Sequence, residues 1–169
     1  MGEELMLDNC LDKNTFCALI NEKKEKLYRL AYMHVKNSDD ALEIVQEAVY
    51  KAYLSYEKLK DLKTFNTWIT RIVINCSIDY IRKRKRLVSL EENINSSEYS
   101  ADNREDFIDL YKAIDKLKGN SKTIVILKYF EDLTINNIAE VLDCSVSKVK
   151  NALHKALKEL RIELKEEEY

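Results

Sequence analysis

Basic and polar side chains recur between residues 146 and 161 at the spacing of one helix face. They are Ser147, Lys148, Lys150, Asn151, His154, Lys155 and Lys158. Lysine ammonium groups bind phosphates, and hydroxyl, amide and imidazole groups donate to base edges, so this set could contact nucleic acid. The alternative is an ordinary solvated helix face, because charged outer faces are common on surface helices.

Apolar residues on both sides of a short break predict the two helices that would position this set. The first stripe is Ile135, Ile138, Ala139 and Leu142, and the second is Val146, Val149, Leu153, Leu157 and Leu160. Thr134 and Ser145 precede the two stripes and are the expected N-caps. A helix-turn-helix that places its second helix in the major groove needs this arrangement. A plain helical hairpin would show the same stripes.

A second group of cations is continuous in the sequence. Arg82, Lys83, Arg84, Lys85 and Arg86 follow a helical stripe that begins at Phe65. Five adjacent cations repel one another, and beside a polyanion each neutralised phosphate releases counterions. The alternative is a basic helix C-terminus stabilised by the helix dipole.

Composition favours an all-α protein without catalytic machinery. The chain has 169 residues, two glycines and no proline, and its 28 basic and 30 acidic residues give a net charge of −2. The distribution of charge must therefore carry any nucleic-acid argument. We see no nucleophile with a base, no phosphate-binding glycine loop and no metal cluster, so neither an enzyme nor a cofactor is predicted.

The cysteines and histidines predict no metal site. Cys10, Cys17, Cys76 and Cys144 form no CxxC pair, and the two histidines lie far apart in the sequence. Free thiols in a reducing cytoplasm are therefore expected. No apolar run approaches the roughly 20 residues of a membrane span, so we expect a soluble cytoplasmic protein that does not insert into the membrane.

The patterns along the chain predict two small helical domains joined by a flexible acidic linker. Residues 1–86 should hold three helices: one from Lys13 to Lys36, one capped by Ser38 and one that begins near Phe65. Residues 87–106 are rich in Ser, Asn and acid, and should form the linker. Residues 107–169 should hold four helices, with a stop at Gly119 and Asn120 and a cap at Ser121.

The outer face of the second predicted helix is mixed in character. It carries Asp40, Glu43, Gln46, Glu47, Tyr50, Lys51 and Leu54. The pattern by itself favours a solvent-facing surface over a docking face.

Three segments, in this order, resemble the extracytoplasmic-function class of bacterial sigma factors: residues 39–59, 65–86 and 127–161. The resemblance covers about Phe16 to Leu164. It implies a first domain that binds the beta-prime clamp helices of core RNA polymerase and opens the minus-10 element. It also implies a last domain that sits on the beta flap and reads the minus-35 element.

The resemblance implies roles for individual residues. Asn75 and the loop around Leu59 match positions that read an unstacked minus-10 base, next to the cations 82–86. Lys128, Lys150, Asn151, His154 and Lys155 match minus-35 contacts, with Ser147 and Lys148 on the same face. Lysine stands where the family often has arginine, which favours phosphate anchoring over guanine reading. Ala152 and Asp132 replace a common arginine and a common glycine.

The resemblance also makes the outer face of the second helix the polymerase-docking face, against the preference from pattern alone. It implies an anti-sigma partner, often membrane-bound and released by envelope stress. The competing hypothesis is a free-standing helix-turn-helix regulator that needs no core polymerase. A third is a helical adaptor that binds only protein.

Overall fold

The computed structural model describes residues 11–90 and 108–166, and all the regular structure in them is helical. The chain divides into two compact units, Met1–Asn95 and Ser96–Tyr169. The predicted all-α fold with two helical domains is confirmed. Most of the predicted linker, residues 91–106, lies outside the described residues.

The first unit contains three helices: α1 (Lys13–Val35), α2 (Ser38–Tyr53) and α3 (Phe65–Leu90). Two short 3-10 turns, Tyr56–Lys58 and Leu62–Thr64, lie in the connection between α2 and α3.

The start of α2 differs from the prediction by one residue. Asn37, not Ser38, is the N-cap: its backbone is extended and its side-chain oxygen accepts from the Asp40 N–H at 2.9 Å. Lys36 ends α1 in a left-handed conformation (φ 55°), which turns the chain one residue before the cap. Asp39 and Asp40 lie in the first turn of α2, where the helix dipole favours carboxylates.

Three alanines let α2 pack closely in the core of the first unit. Ala41, Ala48 and Ala52 are all 0% exposed. Small side chains bring the helix backbones together, while larger side chains from all three helices fill the remaining core. The larger buried residues are Leu30, Ile44, Phe65, Ile69, Val73 and Ile74.

The third helix runs past the basic run to Leu90, so it includes Leu87, where the linker was predicted to begin. The change in composition at Leu87 is a change in charge and polarity. No glycine or proline stands between Arg86 and Gly119 to stop the helix.

The second unit contains α4 (Ile108–Lys116), α5 (Asn120–Tyr129), α6 (Ile135–Val141) and α7 (Val146–Glu166). Gly119 adopts φ 60°, which glycine tolerates well, and α5 begins directly after it. The predicted cap Ser121 is therefore wrong, because it lies inside α5. The buried centre of α5 runs from Thr123 to Leu127, which makes it the core helix of this unit.

The predicted helix-turn-helix corresponds to α6 and α7, and both predicted caps are confirmed. The Thr134 hydroxyl accepts from the Asn137 N–H at 3.2 Å, and the Ser145 hydroxyl accepts from the Lys148 N–H at 3.2 Å. Asp143 makes the bend between the helices with φ 50°. Asp132 also has a positive φ, 52°, in the region that favours glycine and that aspartate tolerates better than most residues.

Candidate nucleic-acid interface

One face of α7 packs inward, and the other presents donors. Val149, Ala156 and Leu160 are buried. Leu157, predicted to lie in the apolar stripe, is 40% exposed. The predicted minus-35 residues on this helix share an exposed face: Ser147, Lys148, Lys150, Asn151, His154 and Lys155.

Lys128 differs from the α7 residues, because its side chain is hydrogen-bonded within the chain. Its side chain is half-buried, and its Nζ donates to the Leu133 carbonyl at 3.4 Å. The contact ties α5 to the segment that leads into α6. Lys128 therefore has a structural contact that the sequence pattern did not predict.

Asn75 is presented outward from α3. Its neighbours Ile74 and Cys76 are 0% and 1% exposed, whereas Asn75 itself is exposed. A side-chain amide offers two donors and an acceptor, which suits the Watson–Crick edge of an extruded base.

Leu59 does not present its side chain as the resemblance implied. It is 9% exposed and belongs to the core of the first unit. Its side chain is buried although it belongs to the connection between α2 and α3, while Leu62, three residues later, is 51% exposed. Lys58, Lys60 and Lys63 are also exposed in this connection. This connection has no periodic apolar stripe that would distinguish Leu62 from Leu59.

The cations 82–86 are all exposed, but they are not equivalent. Arg84 pairs with Asp40 of α2, and Arg82 lies 3.8 Å from Asp79 in an exposed pair that contributes little. Among the described residues, the side chains of Lys83, Lys85 and Arg86 make no hydrogen bond or ion pair. These three are the cations best placed to meet phosphates.

The predicted docking face of α2 divides into two parts. Glu43, Gln46, Tyr50 and Leu54 are exposed, with Tyr50 at 62% and Leu54 at 63%. Asp40 faces α3, and its side chain is only 17% exposed. The Asp40 carboxylate is already bonded within the chain, so it is less available to a partner than the exposed part of this face.

Glu47 and Lys51 form an ion pair of 2.8 Å on α2. The hydrogen bond from Lys51 lowers the pKa of Glu47, and the same bond raises the pKa of Lys51. Lys51 also lies 3.6 Å from the Cys76 Sγ, and burial raises the pKa of that thiol. The side chains of Glu47 and Lys51 remain 40% and 47% exposed, so they can still contact a partner.

An apolar groove runs between α1 and α2, next to the docking face. Its lining includes Phe16, Ile20, Val45, Val49 and Tyr53. Val45 and Val49 are half-buried, so they leave part of this lining open. The groove adds apolar surface to a face that the sequence pattern showed as mainly polar.

Within residues 11–90 and 108–166, no group of three His, Cys, Asp or Glu side chains could hold a metal ion. None of the helices in these ranges combines the length and the apolar character needed to cross a membrane.

Family models match both units. Sigma-70 region 2 matches residues 19–87, and sigma-70 region 4 matches residues 107–160. The RNA polymerase sigma factor SigV of Bacillus subtilis (strain 168) is 39% identical over 152 residues, which cover 88% of this chain and 90% of the relative. The ECF RNA polymerase sigma factor SigW of the same organism is 31% identical over 171 residues, covering 92% and 91%.

Two solved structures share the fold. The sigma factor RpoE, in complex with the anti-sigma factor NepR from Bartonella quintana, has a TM-score of 0.80 at 20% identity, covering 89% of this chain and 96% of that chain. CnrH, in complex with the cytosolic domain of CnrY, has a TM-score of 0.69 at 19% identity, covering 91% and 90%.

Proposed function

Because the chain belongs to the sigma-70 family, in its extracytoplasmic-function class, it is an alternative sigma factor, and we propose how its surfaces are used. It acts with core RNA polymerase in promoter-specific initiation. The observation that carries this conclusion is the match to regions 2 and 4, in that order, over residues 19–87 and 107–160. The proposed division is a promoter-opening domain that ends with α3 at Leu90, a linker up to residue 106 and a minus-35 domain (107–169).

The minus-10 surface is proposed to centre on Asn75. Its exposed amide would hydrogen-bond an extruded base, with Lys83, Lys85 and Arg86 on the adjoining phosphates. Exposed Leu62 replaces buried Leu59 as the apolar side chain that could lie against the base.

The minus-35 surface is proposed to be the exposed face of α7. Lys148, Lys150 and Lys155 would anchor phosphates, and Asn151 and His154 would face base edges in the major groove. Lysine suits phosphate anchoring as a point charge, whereas bidentate guanine reading needs the arginine fork.

The polymerase surface on the first unit is proposed to be the exposed part of α2. Tyr50 and Leu54 provide large apolar contacts, and Glu43, Gln46, Glu47 and Lys51 provide a polar rim for the beta-prime clamp helices. The second unit would sit on the beta flap. The chain itself would have no catalytic activity, because the polymerase supplies the chemistry.

Control is proposed to come from an anti-sigma factor. One protein of the same fold, RpoE, has been solved with an anti-sigma factor. Another, CnrH, has been solved with the cytosolic domain of CnrY. A partner anchored in the membrane would hold this chain in the cytoplasm until envelope stress released it. Sequestration requires the partner to cover the surfaces that polymerase or promoter would use.

The test separates a sigma factor from a free-standing regulator by its dependence on core polymerase. The chain should bind purified core, and it should retain a promoter fragment only when core is present. A free regulator would bind the fragment equally well without core.

Variants locate the polymerase contact. Tyr50→Ala should weaken core binding by at least about tenfold, as expected for a large aromatic at an interface centre. Arg29→Ala is the control, because Arg29 is exposed on α1 of the same unit and lies outside the proposed face. Equal effects of the two substitutions would remove α2 from the proposed interface.

A further inference from the structure

Asp40 joins α2 to the last turns of α3 through both of its carboxylate oxygens. The Tyr80 hydroxyl donates to Oδ1 at 2.7 Å, and the Arg84 guanidinium pairs with Oδ2 through Nη1. Tyr80 and Arg84 are four residues apart, so they lie on the same face of α3. One carboxylate thus holds two successive turns of the helix.

The burial and the position of Asp40 favour its pairing with Tyr80 and Arg84. The Asp40 side chain is 17% exposed, and its position in the first turn of α2 also favours a negative charge. Burial, followed by the hydrogen bond to Asp40, raises the pKa of Tyr80 to about 12.

Within the basic run, Arg84 differs from Arg82, because its carboxylate partner is on another helix and mostly buried, whereas the Arg82–Asp79 pair is exposed. Arg84 donates to a carboxylate on another helix, whereas Lys85, beside it, makes no side-chain hydrogen bond or ion pair among the described residues. Counterion release on binding DNA requires a cation that replaces the phosphate's own counterions. A cation that shares a carboxylate contributes less to that release.

We infer that Asp40 is a positioning residue, which with Tyr80 fixes the end of α3 and withholds Arg84 from promoter phosphates. This inference rests on the proposed role of the basic run at the promoter. Lys83, Lys85 and Arg86 then carry the phosphate contacts, on a helix end held in place by the Asp40 carboxylate.

The test compares Arg84→Gln with Lys85→Gln in the complete complex of chain, core polymerase and promoter. Lys85→Gln should reduce the slope of log affinity against log salt by about 0.9, the value for one phosphate contact. Arg84→Gln should change the slope by much less. When Asp40 has been replaced by asparagine, Arg84→Gln should reduce the salt slope by the value for about one phosphate contact. Equal slopes for the two single variants of the natural chain would overturn the inference.

A second measurement uses the free chain and does not depend on the proposed function. Asp40→Asn and Arg84→Gln should each lower the urea midpoint of unfolding, and the double variant should lower it no further than the larger single effect. Additive losses would show that the two side chains are not coupled, and the inference would fail. If coupling is present while Lys85→Gln leaves the salt slope unchanged, the role of the basic run at the promoter is wrong, and with it the withholding of Arg84.

Discussion

Asn75 is the residue whose setting best fits direct contact with a base. It is exposed on α3 between Ile74 and Cys76, which are buried, so the helix that presents it is anchored on both sides. An amide held on a rigid helix loses little entropy when it binds, which favours reading a base that has left the stack.

Asn75→Ala should impair open-complex formation while folding and core binding persist. Losing one hydrogen bond costs about 1 kcal/mol, which corresponds to a loss of roughly five- to tenfold. Permanganate reactivity of melted thymines measures opening, and Asn66→Ala, another exposed asparagine on α3, is the control. Normal opening by Asn75→Ala would refute the base-reading role.

Tyr80 gives a prediction about alkaline pH. Its pKa is about 12 in the folded chain, above the ordinary value near 10. Between these values the folded state binds the phenolic proton and the unfolded state has lost it, so stability must fall as pH rises. The stability advantage over Tyr80→Phe should be constant below pH 10 and shrink toward pH 12, as measured by urea unfolding. A difference that stays constant up to pH 11.5 would contradict the raised pKa.

The helices α3 and α7, which belong to different units, are amphipathic in the same way. Each buries an apolar stripe and leaves donors on the opposite face. Periodicity within one helix predicts such a division, which is why the exposed positions of α7 and the caps Thr134 and Ser145 could be predicted from the sequence.

Contacts between elements could not be predicted in the same way. Asp40 lies on the outward side by sequence pattern, yet its partners Tyr80 and Arg84 are about forty residues away along the chain. Leu59 and Leu62 are the same residue type in the same segment. Only the fold of the α2–α3 connection buries Leu59 and exposes Leu62. The cap at Asn37 depended on the left-handed turn at Lys36.

For α7, we predict that Lys150→Ala and Lys155→Ala each weaken minus-35 binding. Each substitution should reduce the salt slope by roughly one counterion, because each lysine is exposed on the donor face. Lys112→Ala, on α4, is a control with an exposed lysine outside that face. An unchanged salt slope would remove the altered lysine from the phosphate interface.

At the scale of the whole molecule, the distribution of charge is more informative than the net charge. A net charge of −2 would not suggest DNA binding, yet the exposed cations at the end of α3 and on α7 give each unit a basic surface. Because each unit is proposed to contact one promoter element, the spacing of the two elements should matter.

A half-turn change in promoter spacing tests that dependence. Inserting about 5 base pairs between the two elements moves one of them to the opposite side of the duplex, since a turn takes about 10.5 base pairs. Transcription should fall by at least tenfold. The same insertion upstream of both elements is the control, and an equal response to both insertions would contradict simultaneous contact.

Run-off transcription on genomic fragments of the host bacterium tests the central claim most directly. Core polymerase with the purified chain should yield new transcript starts, preceded by two shared elements at a fixed spacing, that core alone does not produce. Binding of the chain to DNA without any such core-dependent transcripts would contradict its assignment as a promoter-specific initiation factor.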